Sequence, residues 1–388
     1  MKTSQSLLAS LLVATLVLPA IAADSPKKML LITITQGFRH GSVTTAEPII
    51  AQIGKESGLF SVDYVRQPDN KPNINKPKEP TKPAQFKDAK EEAAYKAALD
   101  KHKADLAKFE AELPKLQAAQ KSWTGTYEAA LGKLTAENLK QYDILFFANT
   151  TGAVIPKGGP REAILEFVKS GKAFIGAHSA TDTFGDFPGY VQMINGNFAG
   201  HPWGAGTLCT FTNHDPTHPA VKMYPAEFQW KDEIYQYRSF DPAAVRVLLS
   251  LNMAKTNPKM PYQVPVSWVR EYGTGRLFYT NLGHNDATWK DATFQKHLLN
   301  GIRWALKLEQ GSATPNPEVS ALENAKSYLA TAAAEAKRDA APLLEKLIAK
   351  KEDGALLKQL NADAAEFHKL KDVARGALAA KAFAAVEK

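Results

Sequence analysis

Short apolar and β-branched runs alternate with longer amphipathic segments through the first half of the chain. The first run is apolar or β-branched at every position, which is typical of a strand buried on both faces of a sheet. The pattern predicts four strands here, over Met29–Thr35, Ser61–Val65, Ile144–Asn149 and Lys172–Ala177. Strands that alternate with helical segments indicate a doubly wound, mostly parallel α/β sheet.

The segments between these strands carry helix signals. Thr44 and Glu47 have the spacing of a capping box, and Gly58 supplies a stop for the helix that follows the first strand. Between the third and fourth strands, Pro160 marks a helix start and Gly171 its end. We expect each helix to be the crossover that returns the chain to the next parallel strand.

The second half of the core is richer in strands and closes with one amphipathic helix. Four further strands are predicted, over Thr207–Thr212, Val245–Leu251, Val264–Arg270 and Arg276–Asn281. The closing helix places apolar side chains on one face, at Phe294, Leu298, Ile302 and Ala305. Together the elements predict one α/β domain over residues 28–308.

Two stretches of biased composition interrupt or follow that domain. Residues 70–121 open with a Pro/Lys-rich run and continue as an Ala/Lys/Glu-rich segment. This composition predicts an insertion that is extended and disordered at first and then forms a solvated helix. Residues 314–388 are again rich in Ala and Lys, and we expect them to form an all-α appendage with breaks at Pro342 and Gly354.

The N-terminus has the pattern of a secretory signal. Lys2 precedes an apolar run over residues 7–18, and Ala20 and Ala22 form a small-residue exit. The run is too short to span a bilayer comfortably. The sequence therefore predicts a signal peptide over residues 1–22, a secreted or periplasmic protein, and no stable membrane span after cleavage.

Composition and charge narrow the class of protein further. The chain has 388 residues, 44% of them hydrophobic and 23% charged, as in ordinary globular proteins. The net charge of +8 comes largely from lysines in the two biased stretches, so we expect no nucleic-acid partner. The single cysteine, Cys209, excludes an intramolecular disulfide framework and a cysteine-rich metal site.

Three histidines directly follow predicted strands. His40, His178 and His284 come after the first, fourth and last strands of the core. Ligands of open parallel sheets bind beyond the carboxyl ends of the strands, so the three imidazoles should converge there. Imidazole serves as a general acid or base, or as a metal ligand, so these histidines are the first candidates for catalysis.

Other polar residues in the same loops complete the candidate site. Asp182 and Glu233 add carboxylates to the catalytic set, and the candidates for substrate binding are Arg39, Thr150, Thr151, His201, Trp203 and Tyr235. Trp203 either stacks on a sugar ring or packs in the core. Histidines with carboxylates suit Zn²⁺ or another divalent ion, but no motif of fixed ligand spacing is present. Metal binding by His40, His178 and His284 and metal-free acid–base chemistry therefore both stay open.

Eight ordered segments of the core resemble one known family. They are GFRH (37–40), NTTG (149–152), GAHSATDT (176–183), GNFAGHP (196–202), HPA (218–220), DEIY (232–235), PVSW (265–268) and GRLFYTNLGH (275–284). The chain resembles the ThuA-like family, named for trehalose utilisation, of the class I glutamine amidotransferase-like superfamily. The resemblance implies a flavodoxin-like, doubly wound sheet.

The same resemblance speaks against glutamine hydrolysis. Amidotransferases of the superfamily carry a cysteine nucleophile in a sharp elbow after a strand, and His178 occupies the corresponding position here. Cys209 lies within a predicted strand and does not replace it. The sequence therefore predicts that the protein is not a glutaminase.

The family resemblance implies a link to sugar metabolism. Family members resemble partners of oxidoreductases that form 3-keto sugars, so a sugar ligand and a sugar oxidoreductase are the expected partners. A histidine base could remove a proton beside the keto group, as in a sugar isomerase, lyase or hydrolase. A non-catalytic carbohydrate-binding protein on the same scaffold is the alternative. A third interpretation is an interaction protein that acts through the insertion and residues 314–388.

Overall fold

A nine-stranded mixed sheet forms the centre of the protein. The computed structural model describes residues 25–155 and 157–388, and the predicted signal peptide at residues 1–22 lies outside them. The strands are β1 (Lys27–Ile32), β2 (Phe60–Val65), β3 (Ile144–Ala148), β4 (Ala173–Ala177), β5 (Asn197–Phe198), β6 (Leu208–Asn213), β7 (Glu227–Lys231), β8 (Tyr237–Arg238), β9 (Arg246–Leu251), β10 (Pro265–Tyr272) and β11 (Gly275–Thr280). Strands β5 and β8 pair separately as a short ribbon.

The order of the large sheet is β2-β1-β3-β4-β11-β10-β9-β6-β7. Its first five strands run parallel to one another, whereas β10, β9, β6 and β7 extend the sheet with antiparallel pairs. The prediction of a doubly wound, flavodoxin-like α/β sheet is confirmed. The carboxyl ends of β1, β3, β4 and β11 lie next to one another at one edge, as such a sheet requires.

Helices cover both faces of the sheet and continue into the C-terminal region. They are α1 (Val43–Ser57), α2 (Ala89–Leu131), α3 (Ala136–Leu139), α4 (Glu162–Lys169), α5 (Pro188–Ile194), α6 (Asp286–Lys290), α7 (Ala292–Ala305), α8 (Pro317–Glu335), α9 (Ala341–Ala349), α10 (Gly354–Phe367) and α11 (Asp372–Glu387). In the described part of the chain, no helix is both long and apolar enough to cross a membrane.

The two faces of β1 explain its continuous apolar sequence. Leu31 packs on one face of the sheet in a core cluster with Ile50 of α1, and Leu30 packs on the other in a cluster with Ile164 of α4. Successive side chains of a strand point to opposite faces, so a sheet covered on both sides needs apolar residues at every position.

The start of α1 differs from the prediction, whereas its end agrees. The capping box does not form, because the helix already begins at Val43, which leaves Thr44 inside it, and because the Glu47 carboxylate accepts a hydrogen bond from the Thr33 hydroxyl at 2.5 Å. Glu47 also pairs with Arg66 at 3.4 Å. Gly58 ends the helix in the left-handed conformation, with φ of 64°, where a residue without a Cβ is favoured.

The insertion is built around one long helix. Residues 70–88 contain neither helix nor strand, and α2 then runs without a break from Ala89 to Leu131. Most of α2 is exposed, but Trp123 donates to the carbonyl of Pro68 at 2.9 Å and Tyr127 donates to that of Thr35 at 3.2 Å. The helix continues past residue 121, because these two aromatic side chains anchor its last turns to the sheet.

Residues 314–388 form a four-helix bundle with its own apolar core. Helices α8 to α11 enclose a cluster that includes Tyr328, Leu347 and Leu360. The predicted breaks are observed: Pro342 lies in the first turn of α9, and Gly354 is the first residue of α10.

Candidate metal and catalytic site

The three histidines that follow strands lie together at the carboxyl edge of the sheet. The ring centroid of His40 is 4.8 Å from that of His178 and 5.1 Å from that of His284, and the latter two are 5.2 Å apart. Glu233 joins them: one potential ligand atom from each of the four residues lies within 4.8 Å of the others. We refer to these four residues as the His/Glu cluster.

The position of His178 depends on an unusual backbone conformation. The residue directly follows β4 and has φ of 49°, in the left-handed region that residues with a Cβ seldom adopt. The Tyr279 hydroxyl holds this turn by donating to the His178 carbonyl at 2.6 Å. The turn directs the His178 imidazole into the cluster.

A backbone carbonyl determines which nitrogen of His178 is free. Nδ1 lies 2.9 Å from the carbonyl oxygen of Asn281. A carbonyl oxygen can only accept, so Nδ1 carries the hydrogen and the neutral ring keeps its lone pair on Nε2. Nε2 is the nitrogen close to the cluster, 3.3 Å from His284 Nδ1. His178 is thus oriented as a metal ligand or a proton acceptor.

Glu233 lies among three imidazoles. Its Oε1 is 3.1 Å from His284 Nδ1 and 3.6 Å from His178 Nε2, and its Oε2 is 3.3 Å from His201 Nδ1. Burial opposes ionisation of Glu233, but the neighbouring His178 imidazole and the hydrogen bond from His284 outweigh it and lower its pKa below the ordinary value. The same bond to Glu233 raises the pKa of His284. The site therefore holds an ionised carboxylate beside imidazole nitrogens.

Within the cluster, His40 is buried between two hydroxyl groups. Its Nδ1 lies 3.3 Å from Ser179 Oγ, and its Nε2 lies 3.3 Å from the Tyr235 hydroxyl. Burial, together with the neighbouring His178 and His284 imidazoles, lowers the pKa of His40 to about 3. His40 is consequently uncharged at neutral pH, so its ring can bind a metal, whereas its low pKa makes it a weak base.

Asp232 holds the cluster in place from below. Its Oδ1 accepts from the backbone N–H of Glu233 at 3.1 Å and of Asn285 at 2.9 Å, and its Oδ2 accepts from the N–H of Gly283 at 2.8 Å. The Thr288 hydroxyl adds a fourth bond, at 2.9 Å. One buried carboxylate therefore connects the residue that carries Glu233 to the loop that carries His284.

His201 is the accessible imidazole of the site. The segment from Gly200 to Trp203 pairs through its backbone with Ile234 and Gln236, which places His201 beside Glu233. Its side chain is 52% exposed, whereas that of His178 is fully buried. His201 can therefore meet a ligand from solvent without leaving the carboxylate.

Several predicted site residues have other surroundings. The Thr150 hydroxyl bonds to that of Thr183 at 2.7 Å, and the Thr151 hydroxyl donates to the Phe38 carbonyl at 2.8 Å. Both threonines are buried and support the loops, and their role in substrate binding stays a prediction. Asp182 follows the His178 turn but lies outside the His/Glu cluster.

Two further predictions concern larger side chains. Trp203 is fully buried and donates to the Pro258 carbonyl at 2.9 Å, so its ring packs in the core and is not accessible to a sugar. Arg39 lies next to His40 in sequence, and its guanidinium donates to the Thr33 carbonyl at 3.2 Å. Tyr235, by contrast, touches His40 directly.

The only cysteine of the sequence, Cys209, is not suited to act as the nucleophile of a glutaminase. Cys209 lies in β6, away from the His178 elbow, and burial raises the pKa of its thiol to about 12. A nucleophilic cysteine needs a thiolate near neutral pH, so Cys209 is unsuited to that role.

Comparison with known proteins supports the motifs noted above. The sequence profile of the ThuA family, described as trehalose utilisation, matches residues 88–305, more than half of the chain. This match confirms the resemblance and indicates a carbohydrate-related role in general. No curated protein matches the sequence.

Several solved structures are similar to the chain. One is a ThuA-like protein from Parabacteroides merdae, with 18% identity, coverage of 75% of this chain and 94% of that chain, and a TM-score of 0.48. Another is a ThuA-like protein from Bacteroides uniformis, with 21% identity, coverage of 77% and 98%, and a TM-score of 0.48. A glutamine amidotransferase from Thermotoga maritima has 11% identity, coverage of 88% and 96%, and a TM-score of 0.30.

Proposed function

The chain belongs to the ThuA family, and from that premise we propose that it is an enzyme of carbohydrate catabolism that acts on a keto sugar at the His/Glu cluster. The observation that carries the proposal is the convergence of three imidazoles and one carboxylate, with the Nε2 lone pair of His178 directed into the cluster by the Asn281 carbonyl. Such an arrangement of buried polar groups has no evident structural purpose, because the same edge could be closed with apolar residues.

We further propose that the cluster binds a divalent ion, with Zn²⁺ the best match. Three histidines and a carboxylate are ligands that zinc prefers, and each of the four can present its unprotonated form. His178 also has the outer hydrogen bond to a carbonyl that orients zinc-ligating histidines in general. When bound, the ion supplies positive charge beside the substrate's carbonyl oxygen.

The reaction that suits these residues begins with proton removal beside a keto group. His201 is the proposed base, because its ring is accessible and lies outside the His/Glu cluster. The proton passes from carbon to His201, and the electron pair of the C–H bond moves toward the carbonyl oxygen. When the electron pair of this enolate returns to re-form the carbonyl, the bond to the glycosidic oxygen breaks. That oxygen is attached to the carbon next to the deprotonated one, on the side away from the carbonyl. That oxygen takes the proton from His201, leaving an unsaturated keto sugar and a free alcohol.

The proposed chemistry indicates which enzyme must supply the substrate, and the sequence indicates where the protein acts. The keto group must come from an oxidation step, so a sugar oxidoreductase is the proposed supplier of substrate. The signal pattern in residues 1–22 supports a secreted or periplasmic location for this protein.

Metal content is the first experiment. The chain is purified without chelator or affinity tag, and its metal is measured by elemental analysis beside the His178→Asn, His284→Ala double variant. Asn tolerates the left-handed conformation at position 178 and keeps a side-chain donor, but it lacks Nε2. We expect about one ion per chain, lost in the double variant and retained in His368→Ala, which changes an exposed histidine of the C-terminal bundle. Equal metal in all three proteins would contradict the proposed ligands.

Turnover separates an enzyme from a binding protein. A 3-keto disaccharide is offered to the wild type and to His201→Ala, and the unsaturated product is followed by its absorbance. We expect turnover by the wild type and a loss of about 10²- to 10⁴-fold in the variant, with binding retained. Binding without turnover in the wild type would instead support the non-catalytic carbohydrate-binding alternative.

A further inference from the structure

A groove of about 550 Å³ lies between the loop that leads to His40 and the last turns of α2. Gln36, Gly37 and Arg39 line it on the loop side, and Gln120, Trp123 and Thr124 line it on the helix side. We propose that this groove binds the second ring of a disaccharide whose reacting ring lies at the cluster. The inference rests on the proposed function and assigns a role to the insertion helix.

The groove and the cluster share one short loop. Arg39 lines the groove and is followed directly by His40, so the two sites are one residue apart along the chain. The Phe38 ring lies edge-on to His40, with centroids 4.9 Å apart, and the Thr151 hydroxyl holds the Phe38 carbonyl at 2.8 Å. A ligand that extends from the cluster over this loop would enter the groove.

The chemistry of the lining fits a neutral polyol. Gln36, Gln67 and Gln120 each offer an amide that both donates and accepts, as sugar hydroxyls also do. The Thr35 hydroxyl orients one of these amides by donating to Gln67 Oε1 at 3.0 Å. An aromatic side chain with a few placed polar groups is the usual composition of a site for a small molecule.

The aromatic wall is held rigidly. The indole N–H of Trp123 donates to the Pro68 carbonyl at 2.9 Å, and its ring stacks on Tyr127 with centroids 5.2 Å apart. Tyr127 is in turn bonded to the carbonyl of Thr35, at the end of the run that begins with β1. The wall therefore does not have to become ordered when a ligand binds, which favours affinity.

The charged groups of the groove favour a neutral ligand over an anion. The Lys71 ammonium lies over the Trp123 ring, 5.2 Å from its centroid, and the Arg39 guanidinium donates to a backbone carbonyl. Glu128 adds a negative charge to the same lining. A phosphate would find Lys71 and Arg39 already in contact with the Trp123 ring and a backbone carbonyl, and the Glu128 carboxylate would repel it.

Two glutamines of α2 provide a matched test. Gln120 lines the groove, whereas Gln117, one turn earlier on the same helix, is exposed and does not. Trehalose binding to the full purified chain is measured by calorimetry for the wild type, Gln120→Ala and Gln117→Ala. We expect Gln120→Ala to weaken binding about 3- to 10-fold, the effect of one hydrogen bond, and Gln117→Ala to leave it unchanged.

Trp123→Phe and Trp123→Ala extend the test to the aromatic wall. We expect the phenyl ring to preserve most of the affinity and alanine to lose more than Gln120→Ala does, with Phe109→Ala, also on α2 but outside the groove, as the control. Equal affinities of Gln120→Ala and Gln117→Ala, absence of trehalose binding by the wild type, or binding of inorganic phosphate in its place would each overturn the inference. Metal content and turnover are measured on the same samples. If both are normal but the groove variants bind like the wild type, the groove inference fails while the proposed function stands.

Discussion

The carboxyl edge of the sheet and the C-terminal bundle differ in what they bury. The edge buries His40, His178 and Asp232, each with hydrogen-bond partners contributed by distant parts of the chain. The bundle buries alanines, leucines and aromatic rings from four consecutive helices. Buried polar groups must be paired to be tolerated, so the edge needs a precise tertiary arrangement, whereas the bundle needs an apolar face on each helix.

Histidines show the same difference. His178 is fully buried and fixed by a carbonyl, whereas His368 at the end of α10 is exposed. The residue type is the same in both regions. Function is indicated by the surroundings of the side chain, and the following predictions test this difference between the two regions.

The largest expected effect is on turnover at the sheet edge. His178→Asn keeps the left-handed turn and the donor to Asn281 but removes Nε2. We expect turnover of a 3-keto disaccharide to fall about 10³-fold, because the variant loses one of the proposed metal ligands and with it the positive charge beside the carbonyl oxygen. His368→Asn, in the bundle, should leave turnover unchanged. Equal activity of the two variants would show that the His/Glu cluster is not the reacting site.

The next effect is on the stability of the bundle. Leu360 is fully buried among the four C-terminal helices. We expect Leu360→Ala to lower the free energy of unfolding by about 2–5 kcal/mol, because it removes apolar contacts and leaves a cavity. Chemical denaturation measures the loss, and metal content should stay at the wild-type level below the transition. A parallel loss of metal would show that the two regions are coupled.

A third effect is the pH dependence of stability in the α/β domain. Burial lowers the pKa of His297 to about 4 from 6.5, with Nδ1 bonded to the Ala220 carbonyl. The unfolded chain therefore binds more protons between pH 4 and 6.5, and stability falls as the pH drops through that window, by at most about 1.4 kcal/mol per pH unit. We expect His297→Asn to flatten this slope in denaturation measured at several pH values.

The control for this slope lies in the bundle. His368→Asn changes an exposed histidine and should leave the pH dependence as in the wild type. If His297→Asn also kept the wild-type slope, the buried neutral imidazole would not be its source.

The smallest effect concerns the carboxylate that supports the cluster. Asp232→Asn turns one acceptor into a donor that faces backbone N–H groups, so the Glu233 and His284 segments lose their common anchor. We expect metal affinity to fall about 10- to 100-fold, measured by competition with a chromogenic chelator. Asp241→Asn, at the exposed start of a short helical turn, should have no effect on the metal. Unchanged affinity in Asp232→Asn would argue against a positioning role for Asp232.

The sequence by itself determined the alternation of strands and helices, the helical C-terminal region and the meeting of His40, His178 and His284. These follow from local pattern: a continuous apolar run predicts a buried strand, and residues that follow parallel strands share one edge of the sheet. The capping box at Thr44 was wrong because the helix already begins at Val43 and because a tertiary contact with Thr33 engages Glu47.

Only the tertiary structure decided how the remaining site residues are used. Glu233 reaches the histidines because Ile234 pairs with Trp203 and because Asp232 binds the loop before His284. Those contacts join segments far apart in sequence, so no local period of polar and apolar residues encodes them. The burial of Trp203 has the same origin: its indole donates to the Pro258 carbonyl and its own carbonyl accepts from Ile234, and both contacts join segments far apart in sequence.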